Sequence, residues 1–189
     1  MRNFKLSILA ILTLSLLSSC RKGPEDPLLS FTTRKNRISK TWQAYSHLKN
    51  GLEQLNTQKS VQIAQGSCGT QVIDSLINEN IVFSFSKDGT YSGFYYTTTQ
   101  VVSRTNVTDS ACASLNFDNS NTDTKSYNGM WSFAGGVAGI KNGEQLAIFE
   151  NGVGYIWDIQ RLANSELKIK RKYYIGSNLM TEEIYFKPK

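Results

Sequence analysis

Apolar and polar residues alternate with a period of two along most of the chain, the pattern of strands with one buried face. In ISKTWQAYSH, Ile38, Lys40, Trp42 and Ala44 share one side. Thr41, Gln43, Tyr45 and His47 share the other, which places His47 outward. Ile81, Phe83 and Phe85 lie in phase in NIVFSFSKDGTYSGFYY. That segment turns at Asp88-Gly89, a strong hairpin signal, into a strand from Thr90 to about Thr98. Trp131 and Phe133 align in YNGMWSFAGG, as do Leu146 and Ile148 in EQLAIFE. The turn NGVG leads to YIWDIQRL. Asn164-Ser165 then turns into ELKIKRKYYI, where Leu167, Ile169, Arg171 and Tyr173 share a face. TEEIYFK is the last strand.

Two stretches depart from this period. QVIDSLINEN sets Val72, Ile73, Leu76 and Ile77 at helical spacing and predicts one short helix. RTNVTDSACASLNFDNSNTDTK is long and polar, and predicts a mobile loop between two strands. No internal repeat is present. About eight strands joined mostly by short turns predict an all-β chain with neighbouring strands antiparallel. An up-and-down barrel of about eight strands removes the exposed sheet edges, and a two-sheet β-sandwich is the alternative.

The first residues follow a different rule. MRNFK is basic, and the twelve-residue run LSILAILTLSLL is apolar on every side. A membrane-spanning helix needs about 20 such residues, so the run fits a removable signal peptide over 1–19. It ends at Leu17-Ser18-Ser19-Cys20, which resembles the lipobox of bacterial lipoproteins. The resemblance implies that Cys20 is lipidated, by palmitate or a related acyl chain, and becomes the mature N-terminus. Stable anchoring takes two or more acyl chains, which a lipoprotein carries on this one residue. Arg21 follows, where an aspartate would resemble an inner-membrane retention signal, so an outer-membrane lipoprotein facing the periplasm or the cell surface is expected. Pro24 and Pro27 discourage regular structure, and residues 20–37 are expected to form a flexible tether to a domain over 38–189.

Composition narrows the classes further. The 189 residues suit one domain, and 40% hydrophobic with 19% charged residues is an ordinary globular balance. Removing the leader charges Arg2 and Lys5 from the net +6 leaves +4, spread over strands, which argues against nucleic-acid binding. With Cys20 assigned, Cys68 and Cys112 remain. In an exported protein the pair is expected as a disulfide closing a loop of about 44 residues, worth roughly 4 kcal/mol, with two free buried thiols as the alternative. No CxxC spacing occurs and His47 is the only histidine, which argues against a metal site or a catalytic thiol. Nucleophile-elbow and phosphate-loop motifs are also absent, so neither an enzyme nor a cofactor is expected.

Trp42 on the first strand, then FSKDGTY, GMWSF and IQRLANSELKI in this order, resemble the small lipocalin-like lipoproteins of Gram-negative bacteria, over roughly Ile38 to Phe186. Lys40 stands where lipocalins usually have a glycine. The resemblance implies a single lipocalin-like barrel open at one end, with Trp42 at its floor. Candidate ligand-binding residues are Trp42, Phe83, Phe85, Trp131, Trp157 and Arg171. The aromatics either line a cup for a small, partly apolar ligand or pack a solid core. Arg171 either clamps a carboxylate, stacks on a tryptophan or caps the barrel end. Lys168, Lys170 and Lys172 fall on the outer face. Two functions follow: an envelope lipoprotein that holds a small ligand, or an interaction module that docks on an envelope protein or a glycan.

Cys20→Ser removes the acceptor sulfur. Palmitate labelling should be lost and the protein should leave the membrane fraction; a labelled, membrane-bound variant would rule out this anchor.

Overall fold

Strand pairing follows chain order almost throughout. The computed structural model describes residues 32–64, 66, 69–107, 116–135 and 144–189. A short helix, α1 (Arg34–Ile38), precedes β1 (Thr41–Lys49), β2 (Leu52–Glu53), β3 (Thr57–Ala64), β4 (Gly69–Phe85) and β5 (Thr90–Val107). Then come β6 (Phe117–Ala134), β7 (Gln145–Glu150), β8 (Val153–Leu162), β9 (Leu167–Ile175) and β10 (Asn178–Pro188). The sheet order is β2-β1-β10-β9-β8-β7-β6-β5-β4-β3, and β1 also pairs with β4. That last pairing closes eight strands, β1 and β4 to β10, into an antiparallel barrel. The chain is thus an up-and-down barrel rather than a sandwich.

The turns use the residues that their backbone demands. Asn151 and Gly152, between β7 and β8, take φ of 50° and 79°, as a two-residue hairpin turn needs. Gly89 has φ of 96°, and the preceding Asp88 carboxylate accepts from the Thr90 amide at 2.9 Å and from its hydroxyl at 2.8 Å. Gly129 serves close approach instead. A Cβ there would collide with the Phe149 carbonyl oxygen across the β6–β7 pair.

One end of the barrel is filled. Trp42, Phe83, Phe186, Leu162, Leu167 and Ile169 are fully buried there. Phe85 meets Trp131 edge-on at 5.7 Å, and Phe83 lies 5.0 Å from Phe186. α1 plugs this end: Ile38 is fully buried, and the Trp42 indole donates to its carbonyl at 2.8 Å. Arg37, also buried, donates to the Leu162 carbonyl, and Arg34 lies over the Phe133 ring at 5.5 Å.

Three expectations change here. The helix forms at Arg34–Ile38, so residues 34–37 belong to the folded unit and not to the tether. Thr33 caps it, its hydroxyl accepting from the Asn36 amide at 3.2 Å. Residues 71–80 are strand, in the middle of β4. Their paired apolar residues arise because β3 and β5 flank this half of β4 on both edges while both faces are only partly covered. The polar stretch after Ser103 is strand up to Val107 and again from Phe117. Here β3, β4, β5 and β6 run on past the barrel as an awning, and a strand wet on both faces has no reason to alternate. The leader, Cys20, Cys68 and Cys112 lie outside the described residues. Among the described residues no helix is long and apolar enough to cross a membrane.

Gly129→Ala should force β6 and β7 apart and cost about 3 kcal/mol, the upper range for overpacking. Chemical denaturation measures it; an unchanged midpoint would contradict the close approach.

Candidate functional site

The open end is set by an irregularity in β1. Ala44 pairs with Phe186, but Ser46 pairs with Tyr185, so Tyr45 is an extra residue. Such a bulge moves every later side chain to the opposite face. Tyr45 is therefore exposed and His47 is turned inside, with 3% of its surface accessible. Glu53 on β2 satisfies the amides freed nearby. Its Oε1 accepts from the His47 amide at 2.9 Å, and its Oε2 accepts from the Ser46 hydroxyl at 2.7 Å. Burial works against the Glu53 carboxylate, but these donors and the amides of Gln54 and Leu55 hold it below the ordinary range.

Above the packed half lies a cavity of about 280 Å³. Phe83, Tyr91, Ile148 and Trp157 line its deeper part. Tyr95, Tyr127 and Tyr155 form aromatic walls, with Tyr95 and Tyr127 edge to face at 5.4 Å. Towards the mouth stand Thr97, Asp123 and Lys125, the last two paired at 2.9 Å.

One wall is a chain of charges. His47 Nδ1 lies 2.8 Å from Glu79 Oε2, and Nε2 lies 2.9 Å from Glu182 Oε1. Glu182 Oε2 takes Arg171 Nε at 2.7 Å and Nη2 at 2.6 Å. The Arg171 guanidinium also lies 4.5 Å from the Trp157 ring centre and 4.9 Å from those of Tyr155 and Tyr173. Both imidazole nitrogens face carboxylates, which suits the doubly protonated ring. Burial alone would lower the His47 pKa, but hydrogen bonds to Glu182 and Glu79 outweigh it and hold it above the ordinary 6.5. Burial would likewise raise Glu182, yet His47 and Arg171 keep it below its ordinary 4.5.

A fourth carboxyl, Glu150, stands apart from this chain. Burial pushes its pKa up, against a hydrogen bond from Tyr91 and the charge of Arg171. Tyr91 and Tyr95 are raised in turn, mainly by their own burial.

Of the residues singled out from sequence, Phe83, Trp157 and Arg171 line the cavity. Trp42, Phe85 and Trp131 lie in the packed core instead. There Trp131 donates to the Ser86 carbonyl at 2.9 Å. Alternation predicted the inward Arg171, and Lys168, Lys170 and Lys172 do take the other face. Lys170 pairs with Glu183 at 2.8 Å, and Lys168 lies over the Tyr185 ring at 5.2 Å. His47, expected outside, is inside because of the bulge. Glu79, Glu150, Glu182, Tyr95 and Tyr127 were not singled out. For Glu182 a signal existed, since it sits directly across from Arg171 in the β9–β10 register. Among the described residues no group of three or more His, Cys, Asp or Glu is arranged to hold a metal ion. Comparison of the chain with family models, curated proteins and solved structures finds no match.

His47, with its raised pKa, stabilises the fold fully below pH 6.5 and loses that contribution as pH rises through its folded value. Glu182, with its lowered pKa, contributes above pH 4.5 and loses it as pH falls. The thermal midpoint should therefore decline on both sides of that window, and His47→Gln should flatten the alkaline limb. An alkaline limb unchanged in the variant would exclude the imidazole as its source.

Proposed function

We propose that the chain is a bacterial envelope lipoprotein, anchored through Cys20, whose barrel binds a small, partly apolar ligand without chemical turnover. The observation that carries this is the cavity of about 280 Å³ at one end of a barrel whose other end is packed solid. Its volume lies near the lower limit of small-molecule sites, about 300 Å³, and it combines aromatic walls with a few fixed polar groups, as such sites do. Phe83, Ile148 and Trp157 supply apolar contact, while the Arg171–Glu182–His47–Glu79 wall offers polar anchor points. The ring nitrogens of His47 are both held by carboxylates, which favours a structural role over general-base work. The described chain enters at the end that α1 closes, opposite the mouth, which suits a mouth turned away from the lipid anchor.

A second function, docking on an envelope protein or a glycan, draws support from the awning. Val61, Ile63 and Phe117 are 54%, 41% and 48% exposed on it, and among the described residues no strand pairs with the outer edge of β3. Such edges accept an added strand from a partner.

Native mass spectrometry of the protein extracted from its own membranes in mild detergent separates the two. A discrete small-molecule adduct is expected on the wild type and not on Tyr127→Ala, with the fold of the variant checked by circular dichroism. A bare protein mass together with a stoichiometric co-eluting protein would replace ligand binding with docking.

A further inference from the structure

The outer face of β4, β5 and β6 is built unlike the rest of the barrel surface. Phe83 and Tyr91 point into the core, so the residues one position away on each strand point out. On β5, Phe94 and Tyr96 lie in phase on that outer face, each 38% exposed. Strand register sets Phe94 between Val82 and Ser126, and Tyr96 between Asn80 and Thr124. The row towards the closed end is Ser84, Ser92 and Asn128, and the row towards the mouth is Asn78, Thr98 and Thr122. Four rows cross three strands, and none of these twelve positions is charged in a chain of which 19% is. A face that serves only solubility mixes charges of both signs. The outer face of β9 and β10 does so, with Lys168, Lys170 and Lys172 beside Glu183. Next to Phe94 lies a depression of about 200 Å³, lined by Ser84, Ser92, Ser126 and Asn128. The side chains of Ser92, Ser126 and Asn128 have no hydrogen-bond partner within the chain, so their donors and acceptors face the depression unspent.

We propose that this outer face binds a neutral glycan, with sugar rings laid on Phe94 and Tyr96 and their hydroxyls bonded to the flanking serine, threonine and asparagine side chains. A sugar ring presents C–H groups on its faces and hydroxyls around its edge. The strand face answers in the same order, with aromatic rings down the middle strand and hydroxyls and amides on both sides. The negative faces of the rings attract C–H groups, and the polar rows supply both donors and acceptors. A lipid surface or an apolar protein face would need continuous apolar area, which the polar rows interrupt. A nucleic acid or an acidic glycan would need cations, and the twelve positions have none. An added peptide strand takes a sheet edge and not a sheet face. The assignment rests on the second function above, docking, and gives it one partner class. The cavity lies on the opposite side of the same strands, so ligand binding there does not depend on it.

Calorimetric titration of the full chain with maltohexaose, cellohexaose, mannohexaose and an alginate hexamer tests it. At least one neutral hexasaccharide should bind, at least tenfold tighter than the charged alginate. Tyr96 also borders the cavity mouth, so the variants leave it in place. Phe94→Ala should weaken that binding at least tenfold, whereas Phe94→Tyr keeps the ring and should retain it. Ser126→Lys sets a long charged side chain over the depression from an exposed position, and should weaken binding as much with an unchanged thermal midpoint. The small-molecule adduct of the cavity should persist in all three variants. Failure of every neutral hexasaccharide to bind, a preference for alginate, or binding that survives both Phe94→Ala and Ser126→Lys overturns the glycan face. A co-eluting protein in that case leaves docking standing, with the β3 edge as its place.

Discussion

The barrel depends on one short seam. β1 and β4 pair over three positions only, Thr41 with Ser84, Trp42 with Phe83 and Gln43 with Val82. Above them the two strands part. β1 turns to pair with β2 through Leu48 and Lys49, and β4 takes β3 from Thr70 to Ile77. Side chains then bridge what the backbone does not. Gln43 donates to Asn80 at 2.6 Å, and His47 reaches Glu79 one residue further. The seam is strong where it is apolar, because Trp42 and Phe83 are buried beside it, and polar where it opens. The division into a solid half and a hollow half follows from this. Where the ladder is complete, large side chains fill the interior. Where the strands part, charged ones face each other across a space.

Buried ion pairs are poor evidence for stability, since removing charge from water costs several kcal/mol per ion. The wall from Glu79 to Arg171 meets that cost with geometry. Each end of the imidazole has its own acceptor, and each Glu182 oxygen its own donor. Three aromatic rings flank the guanidinium within 4.9 Å. Apolar residues of the same volume would pack as well with no such demands. Apart from Arg37 in the α1 plug, the buried charged residues His47 and Glu182 stand at the hollow end, which fits a wall that has to meet something other than protein.

Much of this was legible in the chain, and the losses have physical causes. Strand alternation and the Asp88-Gly89 and Asn151-Gly152 turns identify the antiparallel hairpins, because those strands are half buried and their hairpins tight, whereas the three-pair β1–β4 seam that makes a barrel rather than a sandwich leaves no pattern in the chain. Arg171 was legible for the same reason, being two residues beyond Ile169 on an unbroken strand. His47 was not. A bulge is a single inserted residue, and nothing in AYSH distinguishes it from regular alternation. Its support, Glu53, sits on a two-residue strand too short to carry a pattern. The long ends of β4, β5 and β6 carry no clear alternation because they leave the barrel. With little core on either side, their composition answers to pairing alone, and QVIDSLINEN then matches a helix as well as a strand.

The same contrast bears on how the cavity is built. Its floor is continuous with the core, so Phe83, Ile148 and Trp157 are held by neighbours packed on every side and present a fixed surface. Gly93 shows how closely this region is fitted: a Cβ there would overlap the Tyr91 hydroxyl, the group that donates to Glu150. The glycine thus leaves the room that lets a tyrosine from the core reach up and hold one oxygen of a carboxyl in the hollow half. In a barrel that binds a small ligand, as proposed, the polar wall rather than the apolar floor would set selectivity, since the floor would accept any small apolar body of the right volume.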